Sequence, residues 1–192
     1  MRSIVVLCVL GLSGAAGVHA KQPTEPPLPQ LKAGMWQSQN QLWIDGRDVV
    51  AELKQQQQGF IGFLPKAQQA KVQQMVQQRD PSRVRQCVPS SQLHQLKTPQ
   101  DYLRVVQQRL PKCQLQVTKR QGSHVYFSGQ CQGQHGYTGS VAGQVTFIGS
   151  TQLQLQAQGQ GRAMVPGYSD GRSSQQFRVV SQAQWLGQSC SA

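Results

Sequence analysis

Residues 151–160 alternate almost without fault: Leu153, Leu155 and Ala157 point one way, and Gln152, Gln154, Gln156 and Gln158 the other. A period of two over ten residues is the pattern of a β-strand with one buried and one wetted face. The same period governs the chain from Cys113 onward. Residues 114–117 and 125–130 flank a turn at 120–123, residues 137–148 form a third strand, and 175–186 close the series. Short glycine-bearing turns between these runs predict an antiparallel meander with one buried face. The loop 161–174, with Pro166-Gly167 and Asp170-Gly171, is its longest break.

Upstream of Pro111 the period is mostly helical. Residues 35–44 read as a first strand that ends in the turn pair Asp45-Gly46. Val49, Val50, Leu53, Gln57, Phe60, Ile61 and Leu64 then fall on one stripe at 3.6-residue spacing, weakened by Gly59 and Gly62. Pro65 suits the first turn of a second helix running to Gln78, with Val72, Met75 and Val76 as its apolar contacts, and Asp80-Pro81 ends it. Thr98 caps a third helix, with Pro99 at its first position and Asp101 three residues after the cap. Tyr102, Leu103, Val106 and Leu110 form its apolar face before Pro111 stops it.

The N-terminus has the form of an export signal. Arg2 is followed by an apolar run from Ile4 to Val18, and Val18-His19-Ala20 offers small residues where a signal peptidase cuts. Cleavage after Ala20 is expected, which makes 1–20 a signal peptide and the mature protein an exported one. The run is too short and too rich in Gly and Ser for a span, and no second apolar stretch follows, so no membrane span is expected in the mature chain. Residues 21–30 hold four prolines and read as a flexible leader; 31–192 read as a single domain.

Removing the signal also removes Cys8 and leaves an even set: Cys87, Cys113, Cys131 and Cys190. In an exported chain such a set reads as disulfides, and four cysteines allow three pairings. A three-residue loop at Gln121-Gly122-Ser123 would set Arg120 opposite His124, Val117 opposite Phe127, Leu115 opposite Gly129 and Cys113 opposite Cys131. Opposed residues of this kind have Cβ atoms about 4.5–5.5 Å apart, closable by a disulfide at a non-hydrogen-bonded pair. This register favours Cys113–Cys131 and leaves Cys87–Cys190 by elimination. A turn longer or shorter by one residue would shift it.

Charge and chemistry narrow the function classes. Lys and Arg number 19 against 7 Asp and Glu, a formal charge of +12 that falls by one when Arg2 leaves. The surplus clusters modestly over residues 79–120, where Arg83, Arg85, Arg104 and Arg109 lie. It has two readings: an anionic envelope partner such as lipid headgroups or an acidic polysaccharide, or plain solubility. Aromatic residues are not interleaved with the basic ones, so no nucleic acid is expected. The 38 glutamines, roughly a fifth of the chain, follow helical and alternating periods and serve as polar surface filler; the longest run is only Gln55 to Gln58. Residues 151–160 would be an aggregation hazard as a bare sheet edge.

Catalytic and cofactor motifs are lacking. Neither Cys-x-x-Cys nor His-Glu-x-x-His occurs, and Cys131 with His135 could not ligate from within a disulfide, so neither a metal nor another cofactor is expected. There is no Gly-x-Ser-x-Gly elbow and no phosphate loop. Asp101 serves a helix start, Asp45 and Asp170 serve turns, and Glu25 lies in the leader. A hydrolase would have to rest on Asp48, Glu52 and Asp80.

Several short motifs, in order, resemble domain-of-unknown-function family 3617. Leu31-Lys32-Ala33-Gly34-Met35-Trp36 is similar to that family's opening, and Arg85-Gln86-Cys87-Val88 to its first cysteine, commonly followed by a short helical region. Cys113 and Cys131 bracket a hairpin as its central pair does. Gly136-Tyr137-Thr138-Gly139-Ser140 resembles its glycine-bearing strand, and Gln184-Trp185-Leu186-Gly187 with Cys190 its close. The resemblance spans Leu31 to Cys190 and implies a small exported protein of a Gram-negative envelope. It supplies no functional residue. The middle segment, often rich in methionine in that family, is rich in glutamine here, with Met75 alone.

The expectation is therefore an α+β fold: a curved antiparallel sheet of about six strands, two or three covering helices and two disulfides. Trp36, Trp43 and Trp185, with Phe127, Phe147 and Phe177, are candidates for core or groove lining. A non-catalytic envelope role leads. A carrier whose apolar groove carries a basic rim of Arg83, Arg85, Arg104 and Arg109 comes second, and an envelope hydrolase third.

Overall fold

A computed structural model describes residues 25–190 except 79, 81, 110–111, 134–136 and 166–167. The expected export signal, residues 21–24 of the leader, Leu110, Pro111 and His135 lie outside the described residues. The chain runs through β1 (Gly34–Ile44), β2 (Arg47–Asp48), α1 (Val49–Gly62), α2 (Lys66–Gln78), β3 (Arg83–Val88), α3 (Ser90–Leu93) and α4 (Pro99–Arg109). It continues through β4 (Cys113–Gln121), β5 (His124–Gln132), β6 (Thr138–Ile148) and β7 (Gln152–Arg162). The long loop then makes a small hairpin, β8 (Met164–Val165) with β9 (Ser169–Asp170), before β10 (Gln175–Gly187).

Eight strands form one sheet in the order β2–β1–β10–β7–β6–β5–β4, with β3 beside β1 on the same edge as β2. Every pair is antiparallel. The predicted meander is β4 to β7 and then β10, and the fold class is α+β as expected. The sheet has two strands more than the predicted six, β2 and β3. β7 lies inside the sheet between β6 and β10, so the alternating glutamine strand is not an edge.

Turn chemistry accounts for two hairpins. Asp45 (φ 48°) and Gly46 (φ 82°) both take the left-handed region, as a two-residue β1–β2 turn demands. The β4–β5 turn is one residue shorter than predicted: Gln121 faces His124, and Arg120 faces Val125 instead of His124. A register shift between Val117 and Lys119 absorbs Thr118 as a bulge, so Val117 still faces Phe127 and Cys113 still faces Cys131. Both disulfides, Cys113–Cys131 and Cys87–Cys190, are formed.

The core lies between α4 and the meander. Leu103, Cys113, Leu115, Phe127 and Cys131 are buried there, and Val117, Tyr137, Val141, Val145, Leu155 and Ala157 pack around them. Tyr102 meets Phe147 edge-on at 5.0 Å. The cap that starts α4 is reciprocal: the Asp101 carboxylate accepts from the Thr98 amide at 2.8 Å, and the Asp101 amide donates to the Thr98 hydroxyl at 3.3 Å. Val106, predicted as buried, is exposed.

The first two helices cover less than their apolar stripe suggested. Among the described residues, only Val49 of α1 is buried, and none of α2. Asp48 caps α1 by accepting from the Ala51 amide at 3.0 Å. At the other end of this helical pair, Asp80 accepts from the Ser82 amide (2.9 Å) and hydroxyl (2.6 Å) and pairs with Lys54 at 3.0 Å. Burial raises the Asp80 pKa, but the bonds from Ser82 and the Lys54 charge outweigh it, so the net shift is downward.

A carboxylate with a depressed native pKa stabilises the fold above its ordinary unfolded value, and that contribution is lost as pH falls through the native one. Thermal melts across the acid range are therefore expected to show wild type losing its advantage over Asp80→Asn below about pH 4. A constant difference between the two proteins at all acid pH values would contradict this account.

Candidate functional site

The seven residues predicted for an apolar groove do not converge. Trp36 and Trp185 are direct cross-strand partners. Their indole N–H groups donate to the carbonyls of Lys32 and Ala33, both at 2.9 Å, and Lys32 Nζ lies 4.8 Å from the Trp185 ring. Trp43 is an odd residue of β1 and faces the other side of the sheet, where the Arg178 guanidinium stacks on its ring at 5.2 Å. Arg83 and Arg85 sit exposed on the edge strand β3, with Arg85 donating to the Gln37 side chain at 3.1 Å. Arg104 is exposed on α4 and pairs with Asp101 at 3.1 Å. Arg109 ends α4, and its side chain is outside the described residues. The space between sheet and α4 that would have been the groove holds the core.

The Trp36–Trp185 pair belongs to a joint between the two ends of the domain. Gly34 has φ 128°, and a Cβ there would collide with the carbonyl of Gly187, so β1 and β10 approach at a distance only glycine allows. Cys87 faces Met35 on the other side of β1, and its bond to Cys190 crosses that strand. Gly34, Trp36, Cys87, Trp185, Gly187 and Cys190, the residues behind much of the resemblance, therefore meet in one place.

A concavity of about 940 Å³ lies on the opposite face. The alternation that buries Leu153, Leu155 and Ala157 turns the glutamines of β7 to this side. Register does the same for the neighbouring strands. One cross-strand row reads Trp43, Arg178, Gln158, Ala142, Ser128 and Gln116, each residue the Cα partner of the next. A second row reads Gln176, Gln160, Ser140 and Gln130. Six strands thus build one trough, about 24 Å across at roughly 4.8 Å per strand. Its lining is amide, hydroxyl and backbone, with Trp43 as the large apolar side chain that register turns to this face and Arg178 as the cation.

Among the described residues, no carboxylate or histidine lines the trough. Beside it, Gln144 bonds Thr146 at 2.8 Å and His124 Nδ1 at 2.9 Å, which ties up that histidine. Among the described residues, no group of three His, Cys, Asp or Glu side chains could hold a metal ion, and no helix is long and apolar enough to cross a membrane. Such a surface can make many neutral hydrogen bonds and one charged contact. Sequence reasoning missed it because each glutamine was read singly as filler.

No curated protein and no solved structure matches the chain. A family profile does, over residues 31–190, which cover every strand, every helix and all four paired cysteines. The chain thus belongs to the family described as Protein of unknown function (DUF3617).

Proposed function

We propose that the protein is a non-catalytic binding protein of the bacterial envelope, exported to the periplasm, and that the glutamine trough is its ligand surface. The ligand class is an extended polyhydroxyl chain carrying acidic groups, an acidic polysaccharide. The observation that carries this reading is the trough of about 940 Å³, lined by amides and hydroxyls from six strands. Each glutamine side chain offers both a donor and an acceptor, which suits rows of sugar hydroxyls. Trp43 supplies an aromatic surface at one end, and Arg178 holds a positive charge against it for a carboxylate. The formal charge of +12 favours encounter with an anionic polymer. Two disulfides and the signal-like N-terminus support an oxidising compartment outside the cytoplasm. The binding mode differs from the apolar groove expected from sequence: the polar face takes the ligand.

Calorimetric titration with oligogalacturonates, and with neutral cello-oligosaccharides of equal length, tests the reading. Trp43→Ala is expected to weaken binding of both about tenfold, and Arg178→Ala to weaken the acidic series alone, with the loss shrinking at high salt. Failure of the wild-type protein to bind either series, or binding unchanged in Trp43→Ala, would reject the trough as the site.

A further inference from the structure

We infer that the turn between α1 and α2 is a membrane-docking tip that inserts into the surface of an anionic lipid bilayer. The ion pair between Lys54, in the second turn of α1, and Asp80, just after α2, brings the end of the helical pair back beside α1, so the turn after Gly62 is its far end. Val49, at the base, is buried, and Val50, Ala51 and Lys54 border β1 and β10 in a smaller cleft. At 1.5 Å per helical residue, Phe63 stands roughly 20 Å further along.

The chemistry of that tip is unlike the rest of the surface. Residues 55–65, Gln55-Gln56-Gln57-Gln58-Gly59-Phe60-Ile61-Gly62-Phe63-Leu64-Pro65, carry no charge, and the last seven have no polar side chain. Phe60 is 65% exposed and Phe63 is 91% exposed, the latter more than any other large apolar side chain among the described residues. Met75 on α2 is also exposed. Isolated apolar residues on a surface are ordinary, but two phenylalanines on adjacent turns at a protruding end are not.

Charge selects the occupant. Lys66 and Lys71 flank the tip on α2, and Glu52 is the only acid within 49–78. An apolar end with lysines just behind it matches the layered chemistry of a bilayer, acyl chains beneath anionic headgroups. The whole chain, at +12, is attracted to the same surface. A second copy of the chain fits poorly: two exposed phenylalanines bury far less than the roughly 1,000 Å² a stable interface needs, and the like charges repel. The trough and the tip are separate surfaces, so either can fail without the other.

The test uses protein expressed from the full-length sequence, oxidised, with vesicles of phosphatidylethanolamine and phosphatidylglycerol in equal parts and control vesicles of phosphatidylcholine. Wild type is expected to sediment with the anionic vesicles. Phe60→Ser with Phe63→Ser is expected to lower the partition coefficient at least about tenfold, from the loss of two buried rings. Lys66→Glu with Lys71→Glu is expected to lower it severalfold on anionic vesicles only. Circular dichroism melts should match wild type, because these side chains are exposed. Phe63→Trp should be quenched by lipids brominated on the acyl chain. The proposal is overturned if wild type stays in the supernatant, if the double serine variant sediments equally, if Phe63→Trp escapes quenching, or if the tip instead drives self-association that the double serine variant abolishes.

Discussion

Serine in place of both Cys87 and Cys190 is expected to cost about 4–5 kcal/mol of stability, by the loop-entropy estimate for a closed loop of 103 residues. The bridge encloses the chain from the end of β3 through β10, roughly two thirds of the domain, and fixes the edge strand β3 to the residues after β10 across the intervening β1. Neither cysteine is buried, so the substitution leaves no cavity and the effect should come mainly from the freed chain ends. Urea denaturation followed by far-ultraviolet circular dichroism reads it. The midpoint should fall, and the slope should rise slightly as the reduced unfolded state expands. A loss below about 1 kcal/mol would mean that the Trp36–Trp185 joint holds the ends together without the bridge.

Phe127→Ala is expected to destabilise by about 3–5 kcal/mol, as truncation of a buried ring does. Phe127 is 6% exposed and sits among Leu103, Leu115 and the Cys113–Cys131 bridge. Its cross-strand partner on β6 is Gly143, and a Cβ added there would stand 2.7 Å from Phe127 Cζ. The ring therefore occupies space that the glycine vacates. Gly143→Ala should itself destabilise, through the ring and through the backbone of β7. In the double variant the ring overlap is gone, so the two costs should sum to more than the measured loss by at least about 0.5 kcal/mol. Strict additivity would mean that the ring and the glycine do not touch.

These two sites also mark what the sequence could disclose. The meander was legible because alternation is local: each strand announces its own buried face, and Asp45-Gly46 and Gly122 announce turns. Cys113–Cys131 survived an error in turn length because a bulge at Thr118 restored the register. β3 was not legible. Arg83, Arg85 and Gln86 put polar side chains on both faces of an edge strand, and Val84 on its apolar side is itself exposed, so no period of two stands out. The stripe on α1 identified an amphipathic helix correctly, but periodicity cannot tell what an apolar face meets. The trough was hidden for another reason. Trp43 and Arg178 are neighbours only through β1–β10 pairing, and Arg178 and Gln158 only through β10–β7 pairing. A row of six residues assembled across such distances has no trace in any one stretch of chain.

β10 has two long partners, β1 and β7, and they belong to different parts of the chain. β1 with β2, β3 and the first two helices can form from early residues, and β4 to β7 can zip up hairpin by hairpin. Nothing but β10 makes these two pieces one sheet. Assembly therefore has an order, in which the joining strand is synthesised last and must be laid between two edges already waiting for it. A chain cut short before residue 175 would leave both edges open, and one of them is the alternating glutamine strand β7. The fold thus keeps its most self-complementary segment safe only once β10 is in place beside β7.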